Sequence, residues 1–241
     1  MALQEEPLFA AYDPAAYTVV KHPAIRKTIA RRLSESKQSA PHFYVRTECE
    51  LDHAMAWREA WNKDNALRGA SLSVNDMVIR AWALALTTSP KANASWHDTG
   101  MVMHQHVDIS VAVALPDGLL APVLRRCQEK SLETISLEMK ELAQRARERK
   151  LTAQELQGGT TSLSNLGRSG ISDFCAILNP PQATILAVGA VKRRPLVRDD
   201  ALVVGYTMAA TLSLDHRVLD GVAGAELLQS FKGFVEDPQS L

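Results

Sequence analysis

The stretch TLSLDHRVLDG, residues 211–221, sets Asp215, His216, Arg217 and Asp220 directly after a β-forming run. A neutral imidazole takes up a proton near neutral pH, so His216 at a strand-to-helix turn is a candidate general base. Asp220, four residues on, would orient or support that turn. The competing reading is a solvated turn in which Asp220-Gly221 only starts a helix, and a single motif does not choose between them.

Ser164 and Asn165, in TSLSNLG, follow a strand-like segment and precede a glycine. A hydroxyl or amide there can donate to a developing oxyanion. No G-x-S-x-G elbow is present, so Ser164 is not marked as a nucleophile, and by themselves these residues read better as a polar strand end before a turn. His42 reads as a core or interface histidine. His22, His53, His97, His104 and His106 show no metal-ligand spacing, although His104 and His106 would share one face of a strand. No metal site is expected. Cys175, in DFCAILNPP, reads as a buried thiol. Both glycine-rich phosphate loops are missing.

The elements that must place these groups follow from periodicity. Residues 1–20 carry Pro7 and Pro14 without a clear period and read as a linker or arm, leaving 21–241 as one domain. Ile25, Ile29 and Leu33 mark an amphipathic helix over 24–38 that ends at Pro41. HFYVRTECEL reads as a strand, and 52–66 as a helix with Asp52 available as its cap. SVNDMVIRAWALALTTSP reads as a buried helix that Ser73, Asn75 and Asp76 can cap. VDISVAVALPDG reads as one long strand closed by a Pro-Asp-Gly turn. Residues 131–151 form a second long amphipathic helix, and TAQE a capping box. The last third alternates strand chemistry with turns, then returns to a helix after His216. Strands and helices mix without regular βαβ alternation, which indicates an α/β chain of the α+β, two-layer sandwich kind.

Composition narrows the function classes. Lys+Arg and Asp+Glu both number 27, so no global basic field recruits nucleic acid or acidic membrane. RKTIARR, RARERK and KRRPLVR carry few aromatics and read as solvated faces. Three dispersed cysteines and an acidic start suit a reducing, intracellular chain. The apolar run ATILAVGAV is far short of the ~20 residues a membrane helix needs.

Six blocks then occur in order: HPAIRKTIARRLSESKQSAPHFYV, SLSVNDMVIRAWALAL, DISVAVALPDGLLAPVLR, GGTTSLSNLG, NPPQATILAVGA and SLDHRVLDGVAGAELL. Together they resemble the catalytic core of the 2-oxo acid dehydrogenase dihydrolipoamide acyltransferases, from about residue 20 to the end. SNLG with NPPQATILAVGA is most similar to the acetyltransferases of pyruvate dehydrogenase complexes. The resemblance implies a chloramphenicol acetyltransferase-like fold, homotrimers with active sites between subunits, and a larger homo-oligomeric core. It also implies cytoplasmic (bacterial) or mitochondrial-matrix location, with other dehydrogenase components as partners.

By the same resemblance, acetyl on dihydrolipoamide passes to coenzyme A. His216 takes the thiol proton, Ser164 of a neighbouring subunit stabilises the oxyanion, and Asp220 holds the loop. Arg58, Ser73, Ser164, Asn165 and Gly189 would contact coenzyme A. GRSG at 167–170 departs from a bulkier family pattern and bears on acyl preference. No lipoyl-type Asp-Lys-Ala occurs, so the lipoyl group is expected from a lipoyl domain elsewhere, removed or separate. The rival readings are an acyltransferase for another 2-oxo acid, a chloramphenicol-type O-acetyltransferase, and a mainly structural core component.

Overall fold

The structure, a computed structural model, describes residues 11–68, 71–116 and 118–241. The first ten residues of the expected arm and Asp117 of the Pro-Asp-Gly turn lie outside that range. The chain divides into two compact units, 1–32 and 33–241.

Helix α1 (Ala24–Ser39) runs as the apolar spacing requires, yet Leu33 is left exposed. Strand β1 (His42–Glu50) and helix α2 (Asp52–Asp64) follow. Leu51, not Asp52, holds the cap position of α2. The Asp52 carboxylate instead accepts from the Tyr206 amide at 2.9 Å and pairs with Arg198. Those bonds, the Tyr206 amide first, hold its pKa below the ordinary carboxylate value. Helix α3 (Val74–Thr88) is capped by Ser73 in a reciprocal box with Asp76 and is buried along most of its length. Strands β2 (Ala94–His97) and β3 (Gly100–Met103) form a hairpin.

The run expected as one long strand is two. It breaks at Ala112 into β4 (Ile109–Val111) and β5 (Val113–Leu115), and β5 pairs with β6 (Gly118–Leu120) in a separate small sheet. Seven apolar or small residues in succession, Ile109 to Leu115, carry no alternation that could mark the break. Strand β7 (Val123–Leu124) and helix α4 (Leu132–Arg147), capped by Ser131, come next. TAQE yields a single short turn, Gln154–Leu156.

Strands β8 (Thr161–Asn165), β9 (Thr184–Val188), β10 (Lys192–Arg198) and β11 (Ala201–Asp215) lead to helix α5 (Gly221–Glu236). The basic run KRRPLVR is therefore strand β10, because Leu202, Val203 and Val204 give it a hydrogen-bonding partner that its own composition does not announce.

The main sheet has the order β1-β11-β9-β8-β4-β7, with β10 also on β11. Pairing is parallel for β8 with β9 and with β4, and antiparallel elsewhere. Helices pack on this sheet as the second layer. Trp82 of α3 is fully buried, meets Phe231 of α5 edge to face, and donates its indole N–H to Thr161 on β8. Gly224 lets α5 approach: a Cβ there would lie 2.4 Å from a Leu214 methyl on β11. Among the described residues no helix is long and apolar enough to cross a membrane.

Candidate active site

Strand β11 delivers His216 to one end of the sheet. The strand continues to Asp215, two residues past the expected end, because the Asp215 amide still donates to the Ala183 carbonyl at 2.9 Å. The His216 amide then donates to the Pro41 carbonyl at 3.0 Å. Its ring lies exposed, edge-on to Phe43 with centroids 5.0 Å apart. No side-chain hydrogen bond holds the imidazole among the described residues. It is a free ring on a fixed backbone.

The residues flanking it do the fixing. Asp215 is 4% exposed, and its carboxylate receives the Arg217 amide at 3.0 Å and the Arg217 guanidinium at both oxygens. A fork-shaped pair of this kind restricts geometry as well as adding energy. Hydrogen bonding to Asp215 raises the Arg217 pKa above its ordinary value. Asp220 accepts the Ala223 amide at 2.8 Å as the N-cap of α5. It holds the far end of the turn through the helix, without touching the imidazole.

A second group gathers at the N-terminus of α3. Arg58 of α2 donates to the Leu72 carbonyl at 3.4 Å, beside Ser73, and its buried Nε has no partner among the described residues. Asn62 binds both backbone groups of Leu72, at 2.7 and 3.0 Å, and so fixes the approach to Ser73. Asn165 donates to the Asn75 side chain at 2.9 Å and accepts the Gly167 amide at 2.8 Å. Gly189 follows β9, where a Cβ would meet the Ser172 carbonyl oxygen at 1.8 Å, so only glycine fits. Arg58, Ser73, Asn165 and Gly189 therefore belong to one neighbourhood. Ser164, half-buried on β8, is next to Asn165.

His216 is not part of it. Ser164 pairs with Ala187, and Ala187 with Thr211, so Ser164 stands level with Thr211 in the sheet. His216 lies five residues further along and two strands over. At about 3.3 Å per residue and 4.8 Å per strand, the separation is roughly 20 Å. One chain carries the histidine and the serine at two different places.

Other expectations resolve differently. His42 donates through Nδ1 to the Ala40 carbonyl and accepts the Leu178 amide at Nε2, which makes it a structural histidine. His104 and His106 lie past the end of β3 rather than in a strand; His104 contacts Ser95, and burial lowers its pKa. Cys175 is exposed, not buried. Its segment has no regular secondary structure, and Leu178, three residues on, is the one buried. Asn62 and Trp96 carried no signal in the sequence, and Asn75, legible only as a possible helix cap, instead meets Asn165, since each acts through a tertiary contact.

Comparison with known proteins supplies the family. Residues 14–241 match the 2-oxoacid dehydrogenases acyltransferase (catalytic domain) family. The dihydrolipoyllysine-residue acetyltransferase component of the pyruvate dehydrogenase complex from Rhizobium meliloti is 50% identical over 99% of this chain and 54% of its own length. The chain thus spans about half the length of the curated relatives it matches. The dihydrolipoamide acetyltransferase of Azotobacter vinelandii superposes with a TM-score of 0.89 at 28% identity, covering 94% of this chain and 95% of that one. Chloramphenicol acetyltransferase, at 14% identity and a TM-score of 0.56 over 85% of this chain and 94% of its own, shares the fold. The expected fold is the one observed, and the chain belongs to the family of 2-oxoacid dehydrogenase acyltransferase catalytic domains.

Proposed function

We propose that this chain transfers an acetyl group from acetyl-dihydrolipoamide to coenzyme A, as the core of a pyruvate dehydrogenase-type complex. His216 removes the proton from the coenzyme A thiol, whose pKa lies near the ~8.5 of an ordinary thiol. The thiolate attacks the thioester carbon, and the resulting oxyanion accepts a hydrogen bond from Ser164. The carbon–sulfur bond to dihydrolipoamide then breaks, and the imidazolium returns its proton to that sulfur.

The observation that carries this reading is the free His216 ring on a clamped turn in a chain of this family. Spacing supports it. Crystallographic and enzymatic work on the Azotobacter protein concerned a serine, a histidine 52 residues later and an asparagine four after that. Ser164, His216 and Asp220 have the same intervals. The separation within one chain favours a site shared between subunits, with Ser164 of an adjoining chain facing His216. A homotrimer meets that need with the fewest chains able to close a ring of head-to-tail interfaces beyond a dimer.

Coenzyme A would lie along Arg58, Ser73, Ser164, Asn165 and Gly189. The unpartnered Arg58 Nε and the N-terminus of α3 suit its phosphates. Asn165 spends its side chain on Asn75 and Gly167, so its part is to shape the site. The lipoyl group would arrive on a separate domain. The deciding assay is acetyl transfer from acetyl-dihydrolipoamide to coenzyme A by the purified chain, run beside its His216→Ala variant. Activity equal in the two removes the proposal. An acyl panel in the same assay tests the exposed 167–169 turn, where a different preferred acyl group would reassign the complex.

A further inference from the structure

We infer that Trp96, at the hairpin of β2 and β3, is a positioning residue for His216, acting through Arg217. The inference rests on the reading of His216 as the base.

The Arg217 guanidinium carbon stands 5.2 Å from the centre of the Trp96 ring while both Asp215 oxygens hold its N–H groups. The cation is gripped by a carboxylate and lies over the face of an indole. Arg suits this dual contact and Lys does not, because only guanidinium offers a flat fork. His216 is the residue between Asp215 and Arg217, and among the described residues its ring has the Phe43 edge contact but no side-chain hydrogen bond. Its direction is set by the backbone of this three-residue turn. Whatever fixes Arg217 therefore fixes the direction in which the imidazole leaves the backbone.

Trp96 is itself held. Ser95, its neighbour, bridges Gln182 through the backbone and bonds His104 with its hydroxyl at 2.9 Å. Gln182 in turn bonds Ser110, Ser162 and the Gly159 carbonyl, next to the strands β4 and β8. Asn93, buried at the base of the hairpin, donates to the carbonyls of His104 and His106. The hairpin is anchored to the sheet centre at one end and stacks on the catalytic turn at the other.

A cation–π contact of this exposure predicts a kcat loss of roughly 3- to 30-fold in Trp96→Leu, with KM for coenzyme A and for acetyl-dihydrolipoamide within about twofold of the parent. Trp96→Phe, which keeps a weaker ring, falls between. In an Arg217→Lys background Trp96→Leu adds no further loss, because the two act as one unit. A merely structural tryptophan would lower melting temperature while the two kcat losses multiply. An unchanged kcat in Trp96→Leu overturns the inference, as does multiplicative loss in the double variant. His216→Ala measured in parallel separates the cases. If it stays active, the reading of the base has failed; if it is inactive while Trp96→Leu is normal, only the tryptophan's role has.

Discussion

Ser164 and His216 of one chain stand roughly 20 Å apart, a distance fixed by the register of β8, β9 and β11. Neither side chain can reach the other. If catalysis needs both, each active site draws on two chains. Mixing inactive Ser164→Ala and His216→Ala chains, unfolded together and refolded, should then restore activity. At equal amounts about a quarter of the head-to-tail interfaces pair an intact serine with an intact histidine. Activity that stays at the level of the parent variants would place both groups' function within one chain or nowhere.

Removed singly, the two groups should differ in size of effect. His216→Ala should lower turnover by roughly 10²–10⁴, the range for a general base. Ser164→Ala should lower it by roughly 10²–10³, with KM for coenzyme A little changed, as for loss of one oxyanion donor. Steady-state kinetics with acetyl-dihydrolipoamide measures both. A Ser164→Ala effect confined to KM would make the serine a binding residue instead.

Asp220 works by capping α5 through the Ala223 amide. Asparagine caps a helix about as well as aspartate, whereas alanine costs about 1 kcal/mol. Urea midpoints should therefore match between the parent and Asp220→Asn and fall in Asp220→Ala. Turnover should follow the same order, since the cap holds one end of the turn that bears His216. A deep loss in Asp220→Asn would show that its charge matters.

Thiol chemistry should distinguish the three cysteines. Cys49 and Cys127 are buried, and burial pushes both thiols up to about 12. At pH 8 they hold almost no thiolate, which is the reactive form. Cys175 is exposed. A disulfide reagent should label Cys175 rapidly in the native protein and the other two only after denaturation, with mass spectrometry locating the label. Rapid reaction at Cys127 would contradict the packing beneath β7.

Glu155 links the turn after α4 back to that helix. The Arg145 fork, with added bonds from the Thr152 amide and hydroxyl, lowers its pKa to about 2 from an ordinary 4.5. A group depressed in the folded state stabilises above its unfolded pKa, and that contribution disappears as pH falls through the folded value. Glu155→Gln should thus melt below the parent by a constant margin above about pH 5, and the margin should narrow from there toward pH 2. A margin independent of pH across that window would mean that the ion pair contributes nothing.

Much of this architecture is legible in local order. Polar residues at the head of an apolar run marked the start of α3, which Ser73 caps; helical spacing marked α4, and Asp220-Gly221 the start of α5. These are contacts within one turn of helix, so the residues that make them are adjacent in sequence. His216 was visible for the same reason, as a chemically distinctive side chain between a strand run and a helix run. Its role was carried by the six-block resemblance, because one imidazole in a turn has too many uses to name its own.

What folding decided lies in pairings across the chain. Only the sheet register could show that His216 and Ser164 occupy separate places. Asp52 abandoned its cap for the Tyr206 amide and Arg198, partners far along the chain. The basic run of β10 became a strand because β11 offered it hydrogen bonds, and the apolar run at Ala112 split because β6 drew half of it away. Trp96 met Arg217 through a hairpin that no local pattern ties to the turn. Caps and periodicity arise from neighbours a few bonds away, whereas register, ion pairing and stacking depend on which distant segments share the same space.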